Sequence, residues 1–297
     1  MFILSNLDII RDIQSHYDYI DKNTLMGYIN ELIKKEYLRY NQDINYFNQN
    51  FEDIFLNKRE ANNELDFAIE QAIFIVLQPL RIDIDSKNIE QVLLSWSGYI
   101  LTRDINKGKY PKDIIHYFEN DDFSFEDLMA MSKSQIKELV EYDNMVSFEK
   151  KEKCTKVLCK KINEVLSQND SISDEEFNCN LGIINYRFLR IHPFDDGNGR
   201  LSRMLLNYMF NLRNGYIPIG LDNIEIDELI NIYKQTSKII YSAFMGFYLS
   251  NLEYSDETDY VETETLLTSN VTNYIIQKQQ EAQRKLGIEP INNIKNR

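Results

Sequence analysis

The sequence predicts an all-α protein that carries one small β-hairpin. Only five of its 297 residues are proline and ten are glycine, which favours long helices with few tight turns. Apolar residues recur at the helical period of 3.6 in most of the chain. Hydrophobic residues make up 43% and charged residues 27% of the chain, which is typical of a globular protein and argues against wholesale disorder.

Charge and residue counts exclude several classes of function. The net charge of −14, from 47 acidic and 33 basic residues, argues against a general nucleic-acid binder and against docking on anionic lipid. Three Cys and three His argue against a zinc or iron–sulfur site with several protein ligands. We therefore expect no nucleic-acid partner and no membrane partner.

The N-terminal sequence lacks the basic segment and the long apolar run of a signal peptide. The longest apolar stretch, Ala72 to Leu77, is too short to span a bilayer. An odd number of cysteines without a pairing pattern indicates reduced thiols. We expect a cytoplasmic protein, and the abundance of Ile, Asn, Lys and Tyr is typical of an AT-rich bacterial genome. Delivery into a host cell stays open.

The first hundred residues contain three predicted helices. The first follows Asn23, which we expect to be its N-cap. The second runs from Glu60 to Leu77 and stops before Pro79. The third begins at Ser86 and passes through Leu94.

The hairpin is predicted farther along the chain. Leu139 to Tyr142 and Met145 to Phe148 are short alternating runs, and Asp143-Asn144 between them tolerates turn geometry. The alternative is a helix end followed by a loop. The pattern favours the hairpin.

Helices are predicted on both sides of one glycine-containing loop. Apolar residues from Cys154 to Leu166 lie on one helical face, and Ser173 with Glu176 forms a capping box for the next helix. That helix leads into HPFDDGNGR, and another begins at Gly197–Asn198. The apolar stripe of the helix before the loop is predicted to face the core and consists of Phe177, Leu181, Ile184, Phe188 and Ile191. We expect the helix after the loop to end at Asn214-Gly215. A later helix is expected to cover Ile226 to Leu252, and the last one to run from Glu262 to Leu286.

The loop contains several residues of types that are suited to ligand binding and catalysis. Gly197, Asn198 and Gly199 stand where a helix begins, and backbone N–H groups there form an anion nest suited to phosphate. Arg200 and Arg203 lie three residues apart, so both project to one side of the first helical turn. Two guanidinium groups beside such a nest indicate a polyphosphate ligand.

Two further residues extend this prediction to a reaction. A carboxylate at Asp196, next to a phosphate site, would repel the ligand unless a cation intervenes, which implies Mg²⁺. His192, at the entrance of the loop, can take a proton near neutral pH. The residues predict phosphoryl or nucleotidyl transfer to a hydroxyl.

The stretch HPFDDGNGRLSR, residues 192–203, matches the H-x-F-x-[DE]-G-N-G-R-x-x-R signature of the Fic (Fido) family, and the chain resembles that family over about residues 86–252. The resemblance implies a Fic-type helical core with a β-hairpin flap that holds the target segment. It divides the chain into an N-terminal helical region (1–85), the core (86–252), and a linker with a C-terminal helix and polar tail (253–297). It also implies transfer of AMP from ATP to a Tyr, Thr or Ser hydroxyl of a protein.

The resemblance also assigns roles to individual residues. His192 would be the general base, and Asp196 would hold Mg²⁺ against the α- and β-phosphates. Gly197, Asn198 and Gly199 would cradle the phosphates, with help from the Asn198 side chain. Arg200 would contact the β-phosphate and Arg203 the γ-phosphate. Phe194 would be a buried anchor of the loop, Tyr233 would lie near the nucleoside, and Asp195 has no assigned role.

The residue between Asn198 and Arg200 separates two reactions within the family. Members that act as kinases carry Lys where this chain has Gly199. Gly199 therefore favours nucleotidyl transfer over γ-phosphate transfer.

The resemblance leaves open whether an acidic residue of this chain inhibits the enzyme at Arg203. Many Fic proteins carry an inhibitory [ST]-x-x-x-E-[GN] helix whose Glu pairs with the second arginine of the signature. The nearest matches here are Glu90, followed by Gln, and Glu262, followed by Thr. The alternatives are an antitoxin-like inhibitor on a separate chain or a freely active enzyme.

Several functional alternatives stay open at this stage. The donor could be another nucleotide, the reaction could be removal of AMP, or the protein could be a nucleotide-gated regulator without catalysis. The target could be the protein itself, through auto-AMPylation. Residues 1–85 could serve as a target-recognition domain, a homodimer surface or a packing buttress.

Overall fold

The structure is a computed structural model of the 297-residue chain. It describes residues 5–81, 88–100, 108–110, 148–169, 171–214, 219–220 and 258–288. Three predicted features lie outside these residues. They are the hairpin strands as far as residue 147, the helix start at Ser86, and the helix from Ile226 to Leu252.

The described part of the chain is helical and contains no strand, which confirms the predicted helical fold. Its α-helices, in chain order, are α1 (Asn6–His16), α2 (Lys22–Leu38), α3 (Ile44–Phe55), α4 (Glu64–Leu77), α5 (Ile89–Ile100), α6 (Phe148–Ser167), α7 (Asp174–Ile191), α8 (Asn198–Asn214) and α9 (Thr258–Leu286). A short 3-10 helix, Gln78–Leu80, follows α4. None of the described helices is long and apolar enough to cross a membrane.

Side-chain caps explain where several helices begin. In five helices, the side chain of the N-cap residue accepts a hydrogen bond from the backbone N–H three residues later. These N-cap residues are Ser5, Asp21, Asp43, Asn63 and Ser173. Such a cap satisfies one of the N–H groups that the first turn of a helix leaves without a partner. The cap at Ser173 was predicted.

Three predicted helix starts were wrong by a few residues. Helix α9 begins at Thr258 and not at Glu262. Helix α2 begins at Lys22 because the Asp21 carboxylate, and not Asn23, caps it by accepting the Thr24 N–H at 2.9 Å. Helix α4 begins at Glu64, after Asn63, and not at Glu60. Several cap-forming residues precede each helix, so the sequence alone does not select among them.

The chain divides into two compact units. The first contains Met1–Ile84, Arg203–Leu221 and Ile275–Arg297, and the second contains Asp85–Ser202 and Asp222–Tyr274. Helices α8 and α9 therefore contribute residues to both units. The linear division into 1–85, 86–252 and 253–297 stays a prediction.

In the first unit, α2 packs against α1, α3 and α4. Leu25, Ile29 and Ile33 of α2 are buried, as is Ile69 of α4. The spacing of the three α2 residues puts them on one face of the helix, so the apolar stripe seen in the sequence is the packing surface.

A buried ionic network links α3 to the start of α4 within this unit. Both terminal nitrogens of Arg59 donate to the Asp66 carboxylate at 2.6 Å, and the Tyr46 hydroxyl donates to it at 2.8 Å. The Asp66 side chain is fully buried. Hydrogen bonds from Arg59 lower the pKa of Asp66 to about 2, so the carboxylate is charged at neutral pH.

In the second unit, α6 packs against α5 and α7. The α7 residues predicted to face the core are all fully buried: Phe177, Leu181, Ile184, Phe188 and Ile191. The three cysteines are free thiols, and burial raises the pKa of Cys159 to about 12, which makes it a poor nucleophile. This packing fixes the end of α7, where the candidate site begins.

Candidate functional site

Helix α7 ends at His192, the predicted general base. His192 has left-handed backbone angles, φ 49° and ψ 62°, and its N–H donates to the Phe188 carbonyl at 3.0 Å. A non-glycine residue in this region is unfavourable by about 1–2 kcal/mol. The surrounding structure must therefore hold the backbone of this residue.

Phe194 anchors the loop that follows. Its ring is fully buried, and the Tyr110 ring stacks on it at a centroid distance of 5.8 Å and an interplanar angle of 3°. The Tyr110 hydroxyl donates to Glu90 of α5 at 3.1 Å. Phe194 thus occupies the position expected of a structural anchor.

Asn198, the first residue of α8, closes the loop onto Phe194. The Asn198 Oδ1 accepts the Phe194 N–H at 3.0 Å, and its Nδ2 donates to the Phe194 carbonyl at 2.6 Å. Only 2% of Asn198 is exposed. Because both ends of this amide bind backbone groups, the side chain supports the loop, and the help with phosphate binding that the resemblance implies stays a prediction.

Gly197 is the position in the loop where glycine is required. Its φ is +74°, and a Cβ atom there would lie 2.8 Å from Cγ2 of Ile100. Gly199 is one of the first residues of α8, so it lies at the positive end of the helix dipole. This arrangement is suited to binding an anion.

Asp196 and Arg200 form an ion pair across the first turn of α8. The Arg200 Nη2 donates to Asp196 Oδ2 at 2.8 Å, and the Gly197 N–H donates to Asp196 Oδ1 at 2.5 Å. The Asp196 side chain is 60% exposed, whereas Arg200 is nearly buried. The pair places a carboxylate and a guanidinium side by side in front of the helix N-terminus.

The donor set fits Mg²⁺ that arrives with a phosphate ligand. Mg²⁺ usually keeps several waters and binds one or two carboxylates together with substrate phosphates. Asp196 offers one exposed carboxylate, and the described residues contain no cluster of three or more His, Cys, Asp or Glu that could form a protein-only metal site. Asp196 could thus hold such an ion through its exposed carboxylate.

Lys151 of α6 lies directly behind His192. Its Nζ donates to the His192 carbonyl oxygen at 2.8 Å, and only 1% of the residue is exposed. Burial lowers the pKa of Lys151 well below its ordinary value, while the nearby Asp195 charge acts in the opposite direction. This lysine was not singled out from the sequence.

Arg203, in the first unit, pairs with an acidic residue that the sequence did not suggest. Its Nη2 lies 2.5 Å from Glu36 Oε1 and 3.4 Å from the Tyr40 hydroxyl. Glu36 Oε2 also lies 3.2 Å from Nε of Arg39. Burial opposes the charge on Arg203, but Glu36 and Tyr40 outweigh it and raise the pKa of Arg203.

The other predicted residues are placed as follows. Glu90, the first acidic candidate, accepts the hydroxyl of Tyr110. Glu262 lies in α9, but its side chain is outside the described part of the structure. Tyr233 lies outside the described residues. The inhibitory roles of Glu90 and Glu262 and the nucleoside contact of Tyr233 stay predictions.

A family model for the Fic/DOC family matches residues 87–210, the segment that contains the loop and the helices on either side of it. Residues 87–210 are a Fic domain. No curated protein sequence matches the chain.

Two solved structures of Fic proteins are similar to this chain. A Fic domain containing signaling protein from Bacteroides thetaiotaomicron VPI-5482 is 17% identical, with a TM-score of 0.51 over 96% of this chain and 100% of that chain. A Fic family protein from Desulfovibrio desulfuricans G20 is 13% identical, with a TM-score of 0.38 over 98% of this chain and 85% of that chain. At 17% identity, the first similarity supports the fold alone.

A search of the sequence for the family's inhibitory motif could not have identified Glu36. Leu32 precedes it by four residues and Tyr37 follows it, so [ST]-x-x-x-E-[GN] is not present. A different signal was available. Glu36 continues the spacing of Leu25, Ile29 and Leu32 on the apolar face of α2, and a charged residue on such a face indicates a buried partner.

Proposed function

We propose that the Fic domain transfers AMP from Mg-ATP to a Tyr, Thr or Ser hydroxyl of a protein. One observation carries this proposal: His192 is fixed at the end of α7, and six residues later α8 begins with an anion-binding turn that carries Arg200. A base and a phosphate-binding turn are thereby held in a single rigid loop. The family assignment supports a transferase, and the intact signature from His192 to Arg203 supports nucleotidyl transfer.

The proposed reaction is a single displacement at the α-phosphorus. The imidazole of His192 accepts the proton of the target hydroxyl, and the resulting oxygen attacks the α-phosphorus of ATP. A new oxygen–phosphorus bond forms, the bond to the β-phosphate breaks, and diphosphate leaves. Mg²⁺, when bound, neutralises charge on the phosphates.

The residues of the loop supply binding and orientation. The N–H groups at Gly199 and, once Asp196 has left it, at Gly197 would bind phosphate oxygens, and Arg200 would contact the β-phosphate. Asp196 would bind Mg²⁺ through its exposed carboxylate. Arg203 would bind the γ-phosphate once Glu36 has left it.

We infer that Glu36 regulates this activity by occupying Arg203. The two groups are oppositely charged, buried and within hydrogen-bond distance, so the carboxylate competes directly with a phosphate for the same guanidinium. Glu36 thereby takes the role that the family resemblance assigns to an inhibitory glutamate. The second ion pair, with Arg39, holds the carboxylate in place.

Labelled ATP tests the proposed reaction. With α-³²P-ATP and Mg²⁺, we expect label on the protein itself or on an added target, and none with γ-³²P-ATP. His192→Ala should abolish the label, whereas His16→Ala, at an exposed residue in α1, should not. Competition by UTP, GTP and a CDP-alcohol identifies the donor. Absence of label from wild type and from Glu36→Gly would refute transfer and favour a nucleotide-gated regulator, whereas equal label from His192→Ala would refute the role of His192 as the base.

The Glu36–Arg203 pair also favours a second candidate, removal of AMP, because that activity needs a resident glutamate near Arg203. The test uses auto-labelled Glu36→Gly protein as the substrate and unlabelled wild type as the enzyme. Release of labelled AMP by wild type, and none by a Glu36→Gln enzyme, would support removal. Stable label in the presence of wild type would exclude it for this substrate.

A further inference from the structure

The backbone carbonyl of His192 accepts a hydrogen bond from outside helix α7. The last carbonyls of an α-helix lack intrahelical donors, and the residue that follows His192 is Pro193, which has no N–H. The structure supplies a donor from a different helix, since Nζ of Lys151 in α6 lies 2.8 Å from this oxygen. The two residues are 41 positions apart in the chain.

The conformation of His192 opposes its local preferences. Its left-handed φ of 49° is unfavourable for a residue with a Cβ atom. A residue before proline also favours extended backbone, but ψ here is 62°. A tertiary contact is therefore needed to hold this residue, and the carbonyl bond to Lys151 acts on the torsion ψ that sets the direction of the peptide.

In a buried space that only has to be packed, a lysine side chain is less favourable than an apolar one. Burial of an ammonium group is strongly unfavourable unless it is hydrogen-bonded, and Met or Leu would fill the space without that penalty. Lys151 is nevertheless among the largest fully buried side chains of the described structure. A cation is also favoured at the C-terminal end of a helix, where the macrodipole is negative.

We propose that Lys151 is a positioning residue, whose buried side chain holds the His192 carbonyl and so keeps the His192 imidazole in the orientation needed to accept a proton. Lys151 does not itself contact the reacting atoms. The kinetic part of this inference rests on the proposed function, whereas the part about the conformation of His192 does not.

The test compares three variants of lysines in α6. Lys151→Met keeps the length of the side chain and removes the donor, and Lys151→Arg keeps a cationic donor. Lys153→Met is the matched control, because Lys153 lies on the same helix and is exposed. The proton resonances of the His192 ring, assigned by their loss in His192→Ala, report on its surroundings without any need for catalysis.

Lys151→Met should shift the His192 resonances and leave those of His16 unchanged. It should also accelerate amide exchange in residues 194–199 by about tenfold or more, consistent with the loss of one charged hydrogen bond. Lys151→Arg should show smaller changes, and Lys153→Met none.

Transfer assays in the Glu36→Gly background give the kinetic outcome. Lys151→Met should lower kcat about 100-fold and change KM for ATP less than about threefold, since small displacements of a catalytic group have effects of this size.

If Lys151→Met keeps the His192 resonances and the amide exchange rates of wild type, the proposal is overturned, whatever the transfer activity of the variant. If wild type and Glu36→Gly both lack transfer, the proposed function fails, and the resonance and exchange data still decide the role of Lys151. If Lys151→Met does not fold, ¹⁵N spectra of wild type replace it. They should contain a slowly exchanging lysine Nζ–H signal that is lost in Lys151→Arg, and absence of that signal would overturn the proposal.

Discussion

Nη2 of Arg203 lies 2.5 Å from Oε1 of Glu36, although the two residues are 167 positions apart in the chain. Their side chains are 4% and 6% exposed, so water does little to screen the pair. The guanidinium that would bind the γ-phosphate is therefore already bound to a carboxylate.

Removal of Glu36 should activate transfer. Glu36→Gly frees Arg203, and a hydrogen bond to a charged group is worth about 1.5–3 kcal/mol, which corresponds to an increase in labelling of roughly 10- to 150-fold. Glu31→Gly is the matched control, because Glu31 lies on the same helix but is half-exposed and pairs with Lys285. Labelling with α-³²P-ATP measures both variants, corrected for the folded fraction. Equal labelling by the two variants would contradict the inhibitory role.

Two glycine substitutions should have opposite effects. Gly197→Ala forces a left-handed alanine against the buried Ile100 and should lower the free energy of unfolding by about 2–4 kcal/mol, with loss of transfer. Gly27→Ala, in α2, meets no atom within 4 Å and should raise it by up to about 1 kcal/mol. Urea unfolding measures both. A neutral effect of Gly197→Ala would show that the loop conformation is not required.

Transfer should depend on Mg²⁺ through Asp196. EDTA should abolish labelling, and Asp196→Asn should raise the Mg²⁺ concentration for half-maximal rate by about tenfold or more. Stability should change by less than about 1 kcal/mol, because this carboxylate is 60% exposed. Glu152→Gln removes another exposed carboxylate of an ion pair and is the control. An unchanged Mg²⁺ requirement in Asp196→Asn would argue against a metal contact.

The Arg59–Asp66 network should make the first unit sensitive to acid. Hydrogen bonds from Arg59 lower the pKa of Asp66 from 3.8 to about 2. Its contribution to stability is therefore complete above about pH 4 and declines as the pH falls toward 2. Asp66→Ala should lower the free energy of unfolding at pH 7 by about 2–3 kcal/mol, since it removes the buried carboxylate that accepts from Arg59 and Tyr46. Urea unfolding between pH 7 and pH 2.5 compares wild type with the variant, and the difference between them should narrow below pH 4. A constant difference would contradict the assignment to Asp66.

The helices and the centre of the site could be predicted from the sequence because their signals are local. The apolar stripe of α7, the cap at Ser173 and the signature from His192 to Arg203 each involve residues within a few turns of one another. Helix starts were less certain, as at Asp21 and Asn63, because neighbouring residues offer equivalent caps.

The sequence by itself determined a helical protein with a Fic signature, in which the candidate base, the glycines and the arginines lie within twelve consecutive residues. Only the tertiary structure decided which distant groups contact them. Any of 47 acidic residues could pair with Arg203, and the packing of α2 selects Glu36. Packing of α6 against α7 likewise brings Lys151 to the His192 carbonyl. These contacts depend on how helices stack, and a hydrophobic period specifies which face of a helix is buried but not which residue lies opposite it.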